Sequence, residues 1–176
     1  HEDAPGASFA GLHESVVGVR GVDAVLDQLR LVWASLWSDA ALLYRRELGL
    51  DEHTPTLLVT GGSLGADRIN QTVREAAAAL CQRAVVVHVC GPGKVVPIEQ
   101  PGYHPFEYVR AEWGDLLAAA TLVISRAGAN TLYELLCLRK PNLLIPLSRK
   151  ASRGDQIENA AWAEAEGYSH VLTEEA

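Results

Sequence analysis

The chain has 176 residues, enough for one domain with a substantial core and a small appendage, and too few for two domains of ordinary size. Hydrophobic residues make up 48% and charged residues 21%, and no apolar run approaches the roughly 20 residues of a membrane-spanning helix, so no such span is expected. The formal charge of -7 argues against a broad electrostatic grip on nucleic acid, which needs clustered Lys and Arg, so any anionic ligand must be held locally.

The opening His1-Glu2-Asp3-Ala4-Pro5-Gly6 has neither the basic start nor the apolar stretch of a signal peptide, and a cytoplasmic setting is expected. Cys81, Cys90 and Cys137 are odd in number and widely spaced in apolar surroundings, which reads as buried structural residues in a reducing compartment. The six histidines lack metal-ligand spacing, and His1-Glu2 lacks the second His of a zinc-protease helix, so neither a metal nor another cofactor is expected. Residues 4–8 read as a loop and 15–19 as a short strand. Val22, Val25, Leu29, Val32, Trp33 and Leu36 then recur at three- and four-residue steps, which predicts one buried helical face over 22–36. A second helix follows, capped by Ser38 or Asp39, with Leu42, Leu43 and Leu48 on its apolar side and Gly49 at its end.

From Pro55 onward, short β-rich runs alternate with helical patterns. Strands are predicted at 56–60, 84–90, 106–109, 121–125, 142–146 and 169–172, and helices at 66–82, 113–119, 130–139 and 155–166. That alternation specifies an α/β fold, a Rossmann-like parallel sheet covered by helices, with the opening residues as a helical appendage. The expected division is 1–50 for the appendage and 51–176 for the sheet domain.

Three constellations in the second part carry polar chemistry. Thr60-Gly61-Gly62-Ser63-Leu64-Gly65-Ala66 follows a strand and opens a helix, where glycines admit close backbone approach and free helix N–H groups favour a phosphate. By itself it also suits a plain tight turn. Ser125-Arg126-Ala127-Gly128-Ala129-Asn130-Thr131 repeats the arrangement, with room for a diphosphate over Gly128 and Ala129 and a carboxylate, Glu134, one turn beyond Thr131 for a ribose diol. Glu134 equally suits a solvated acid complementing the helix dipole, and Arg126 suits either a phosphate or a buried position. Asp155 and Gln156, in Ser152-Arg153-Gly154-Asp155-Gln156, offer donors and acceptors to sugar hydroxyls, although Asp155 also suits helix capping.

Taken in order, these motifs together with Phe106-Glu107-Tyr108-Val109, Leu144-Ile145-Pro146-Leu147 and Asn159-Ala160 resemble the MurG family, glycosyltransferase family 28, along nearly all of its carboxy-terminal domain. His88-Val89-Cys90-Gly91 and the 152–156 run are most similar to its Gram-positive members. The resemblance implies half of a GT-B fold with UDP-GlcNAc along the carboxy-terminal edge of the sheet. It implies that Gly61, Gly62, Ser63 and Gly65 face the diphosphate, that Gly128, Ala129, Asn130 and Thr131 support phosphates and sugar, and that Glu134 holds the ribose. It further implies that Asp155 and Gln156 read GlcNAc hydroxyls and that backbone near Val109 and Arg110 meets uracil. Members of the family transfer GlcNAc to a lipid-linked acceptor at the inner membrane face during peptidoglycan synthesis and need no metal. Their acceptor site and catalytic base lie in an amino-terminal half that this sequence does not show. The expected ligands are UDP-GlcNAc or UDP, with no nucleic acid, no catalytic residue assigned, and transfer incomplete from this chain alone.

The opening resembles a different family. Glu2-Asp3-Ala4-Pro5-Gly6-Ala7-Ser8-Phe9-Ala10-Gly11, Val19-Arg20-Gly21 and Trp33-Ala34-Ser35-Leu36 are similar to the ATP-binding domain of phosphoenolpyruvate synthase, pyruvate phosphate dikinase and rifampin phosphotransferase. That family's phosphate-holding basic strand and serine-rich turn do not precede the segment here, so an incomplete ATP site is expected. Two resemblances in one chain imply a chimera joined between Tyr44 and His53, the alternative being a divergent leader of one family. An ATP-binding phosphotransferase fragment and an inactive engineered scaffold stand as the competing functional classes.

Overall fold

The computed structural model describes residues 54–110, 113–149 and 153–174. The strand and two helices expected before residue 50 lie outside the described residues. Among the described residues six strands form one sheet: β1 (Thr56–Thr60), β2 (Val85–Val89), β3 (Tyr103–Phe106), β4 (Leu122–Ser125), β5 (Asn142–Leu144) and β6 (His170–Val171). All five pairings are parallel, in the order β3-β2-β1-β4-β5-β6. Between them lie α1 (Asp67–Cys81), α2 (Trp113–Ala119), α3 (Ala129–Cys137) and α4 (Asp155–Ala165).

The central strands read as near-continuous apolar runs because a parallel sheet is covered on both faces. All five residues of β1 are buried. Its side chains alternate between two cores: Leu58 joins Val87, Leu116, Leu117, Val123, Leu135 and Leu144 on one face, while Leu57 and Val59 join Ile69, Val73 and Val86 on the other. α1 supplies Ile69, Val73 and Ala77 to the second core at helical spacing, and α3 supplies Leu132 and Leu135 to the first.

One strand lies elsewhere than the sequence suggests. β3 occupies Tyr103–Phe106, whereas the β-rich run at 106–109 pointed three residues later. Burial decides the matter, because Tyr103 is buried and packs in the second core while Glu107 and Tyr108 are exposed. Pro105 is accommodated because, among the described residues, β3 is an edge strand. The Gly102 and Phe106 carbonyls accept from the Val86 and Cys90 N–H groups, so alternation turns Pro105, and its missing N–H, away from the sheet.

The strand order reverses between β1 and β4. The loops leaving their carboxy ends therefore diverge, and in open α/β sheets that divergence makes the crevice where ligands sit.

Candidate functional site

Two loops wall the crevice, 61–66 after β1 and 126–128 after β4. The first is held by a backbone crossing. Gly65 sits at φ 68°, and a Cβ there would lie 1.9 Å from the Cys90 carbonyl oxygen; a Cβ on Gly91 would meet the Gly65 backbone at 2.6 Å. Only glycines permit that approach. The loop closes on itself through the Gly65 N–H donating to the Gly62 carbonyl at 3.0 Å. Gly128 is different: a Cβ there would meet nothing within 4 Å, so what its small size preserves is open space in the crevice.

Helices α1, α3 and α4 begin at Ala66, Gly128 and Gly154, none with a side-chain cap. Their first N–H groups are consequently available to an anion, with the helix dipole adding a partial positive charge. The starts of α1 and α3 open onto one cavity of about 810 Å³, which Gln156 of α4 also lines. A second cavity of about 480 Å³ adjoins it, sharing Thr60, Gly62, Ser63, Asn130 and Thr131 and extending to Tyr108, Arg110, Trp113 and Glu134.

Most residues singled out in the sequence meet here. Gly61, Gly62, Ser63, Gly65, Gly128, Ala129, Asn130, Thr131 and Gln156 line the larger cavity, and Arg110 and Glu134 the smaller. Asp155 lines neither; it is exposed as the first residue of α4. Gln156 is oriented by the Leu147 N–H, which donates to its Oε1 at 3.1 Å and leaves the amide N–H groups for the cavity. Glu134 is fixed by the Trp113 indole N–H, donating to Oε2 at 3.0 Å. Arg110 stacks its guanidinium over the Tyr108 ring at 5.3 Å. Arg126, which sequence left undecided, is buried: it donates to the Ile145 and Pro146 carbonyls at 3.0 and 3.3 Å and pairs with Glu174, tying the β4 and β5 loops to the chain end. Asn159 adds a tie from α4, its Nδ2 donating to the Ala127 carbonyl at 3.0 Å.

Two contributors were missed. Trp113 enters the sequence analysis only as a helix start and Lys94 not at all, yet Trp113 holds Glu134 and Lys94 lines the larger cavity with Nζ 3.0 Å from Asp67 Oδ1. Only the glycines flanking its loop hinted that backbone there passes close to something.

Beneath the loops lies a buried polar chain. Asn70 Nδ2 donates to the Cys90 carbonyl at 2.8 Å, which turns Oδ1 toward His88 Nε2 at 2.9 Å. Nε2 therefore carries the proton, and Nδ1 accepts from the Tyr103 hydroxyl at 2.7 Å. Burial, aided by the Arg74 charge, lowers the His88 pKa to about 4, and burial raises that of Tyr103 to about 12, so both stay neutral at physiological pH. Among the described residues no group of three or more His, Cys, Asp or Glu is placed to hold a metal, and no helix is long and apolar enough to cross a membrane.

A six-stranded parallel sheet in this order, with uncapped helix starts converging on a cavity pair at its switch point, defines a Rossmann-like domain of the kind that forms one half of a GT-B glycosyltransferase. The chain belongs to the glycosyltransferase family 28 C-terminal domain, whose profile matches residues 56–176. It is 48% identical over 164 residues, covering 92% of the chain and 46% of the relative, to a UDP-N-acetylglucosamine--N-acetylmuramyl-(pentapeptide) pyrophosphoryl-undecaprenol N-acetylglucosamine transferase of Clostridium kluyveri. The protein of the same description from Lachnoclostridium phytofermentans is 54% identical over 129 residues, 72% of the chain and 36% of that relative. The chain thus spans less than half the length of these relatives. Among solved structures, Acinetobacter baumannii MurG superimposes with a TM-score of 0.61 at 24% identity, over 73% of this chain and 39% of that one, which shows the shared fold. A second profile, the pyruvate phosphate dikinase AMP/ATP-binding domain, matches residues 1–91 and overlaps the first over 56–91.

Proposed function

We propose that this chain is the donor-binding half of a peptidoglycan GlcNAc transferase, holding UDP-GlcNAc across the two adjoining cavities. The observation that carries the reading is their division of chemistry. The larger has uncapped helix starts for a diphosphate and Gln156 for the sugar, and the smaller has a carboxylate, held by Trp113, for the ribose diol. In this reading Gly61, Gly62, Ser63 and Gly65 flank the diphosphate from one side and Gly128, Ala129, Asn130 and Thr131 from the other, while the Val109–Arg110 backbone meets uracil. Asp155 joins Gln156 at the sugar only if its exposed carboxylate turns inward on binding. Inverting transfer needs stabilisation of departing UDP and a base for the acceptor hydroxyl. The N–H groups at the start of α3 supply the first, and we assign no base among the described residues. The acceptor named in the relatives' description, a pyrophosphoryl-undecaprenol lipid, would meet the donor at the cytoplasmic membrane face, with no metal and no nucleic acid involved.

The test is differential. Glu134→Ala removes a charged acceptor worth about 1.5–3 kcal/mol per hydrogen bond and should weaken UDP roughly ten- to a hundredfold. Gln156→Ala should weaken UDP-GlcNAc and scarcely affect UDP. Equal losses for both ligands in Gln156→Ala, measured by calorimetry, would refute the sugar assignment.

The dikinase match over residues 1–91 is the observation behind a second reading, a chimera joined between residues 44 and 53 whose opening derives from an ATP-binding domain, but that match runs past the join and overlaps the first profile over 56–91. Against a separate origin stands the Clostridium kluyveri alignment, which at 92% of the chain reaches into the opening fifty residues. Thermal stabilisation by UDP supports the donor-site reading, by ATP the phosphotransferase fragment, and by neither an inactive scaffold.

A further inference from the structure

Resting on the nucleotide reading above, we infer that Lys94 is a further binding residue of this site, an ammonium that Asp67 holds in the free protein and that passes to the diphosphate when nucleotide arrives.

A chain of contacts brings the 91–94 loop to the cavity. Asn70 pins the Cys90 carbonyl, Gly91 crosses Gly65 with no room for a Cβ on either, and the Lys94 N–H donates back to the Gly91 carbonyl at 3.1 Å. The loop after β2 is thereby fastened to the glycine-rich loop after β1, and the Lys94 side chain reaches the same cavity as the starts of α1 and α3. Its position follows from the crossing rather than from its own ion pair.

The ion pair is lopsided. The Asp67 side chain is 85% exposed and that of Lys94 only 30%. An ammonium partly shielded beside a cavity gains more from a nearby anion than from a carboxylate standing in water, since exposed pairs are weak and screened. A doubly charged diphosphate flanked by helix N–H groups is the better partner. Of the other cations on the cavity wall, Arg126 is buried and committed to two carbonyls and Glu174, and Arg68 is exposed to solvent. Asp67 in turn makes sense in the free protein. A carboxylate in the first turn of α1 complements the helix dipole, yet it would repel an incoming phosphate unless a neighbouring cation offset it.

The experiment measures UDP and uridine binding to the full chain by calorimetry at low ionic strength. Lys94→Ala should weaken UDP about tenfold and leave uridine unchanged, and Lys94→Arg should stay within about threefold of wild type. Asp67→Asn should tighten UDP by about threefold, a gain that fades with added salt and is absent in the Lys94→Ala background. Unchanged UDP affinity in Lys94→Ala, an equal loss for uridine, or a gain from Asp67→Asn that persists without Lys94 would overturn the assignment and leave the donor-site reading intact. If wild type binds neither UDP nor uridine, the donor-site reading fails and this inference with it.

Discussion

His88 is fully buried between Asn70 and Tyr103 and titrates at about 4 instead of its ordinary 6.5. Well above pH 6.5 the imidazole is neutral in folded and unfolded chains alike, so it adds no slope to stability. Between 6.5 and 4 the unfolded chain takes up a proton that the native structure refuses, and the free energy of unfolding falls as the pH falls. At 1.36 kcal/mol per unit, the shift corresponds to about 3 kcal/mol lost by pH 4, a large share of an ordinary domain's stability. His88→Gln tests this, because glutamine does not titrate while every carboxylate that does is retained. Urea unfolding from pH 7.5 to 4.5 should show wild type losing stability faster than the variant, with the divergence beginning near 6.5. Parallel curves would refute the buried neutral imidazole. The variant's lower stability at pH 7.5 is a separate quantity and does not enter the comparison.

Other expectations concern the crevice. Gly65→Ala places a methyl 1.9 Å from a backbone carbonyl at positive φ and should cost about 3 kcal/mol or more in urea unfolding. Gly128→Ala, at φ -67° with open space around it, should leave stability within about 0.5 kcal/mol of wild type yet weaken UDP roughly fivefold by occupying the room for phosphate. Trp113→Phe keeps the ring but loses the N–H that holds Glu134, and should weaken UDP roughly three- to tenfold with little change in thermal midpoint. An unaltered UDP affinity in both of these last variants would remove the carboxylate and the α3 start from the nucleotide site.

The features most legible in sequence were those set by one local cause. The apolar runs of β1, β2 and β4 and the helical period of α1 come from burial on a layered sheet, and they fall within a residue or two of where periodicity put them. The turns at 61–66 and 125–131 were legible because strand, small residues and helix follow one another directly. Tertiary context was not legible. The start of β3 depends on Tyr103 reaching His88 from another strand, and no window of residues around Pro105 contains that information. Trp113 belongs to the crevice through its contact with Glu134, 21 positions away in the chain, and Lys94 through the crossing of Gly91 over Gly65. Arg126 was ambiguous for the same reason, since its partners Ile145, Pro146 and Glu174 arrive from two later segments.

Pro105 and the brevity of β6 bear on how this protein behaves at high concentration. A parallel sheet that is not closed presents two rows of backbone donors and acceptors, each a template on which a strand from another copy can pair. On the β3 side the outward-facing residue in the middle of that row is a proline with no hydrogen to offer. On the other side, among the described residues, β6 presents a stretch of only His170–Val171, too short to hold a foreign strand in register. The hydrophobic, β-prone strands that build the core are all interior to these two blunt margins. The sheet thus carries its own protection against edge-to-edge polymerisation, and replacing Pro105 by a β-branched residue would remove part of it without touching the crevice.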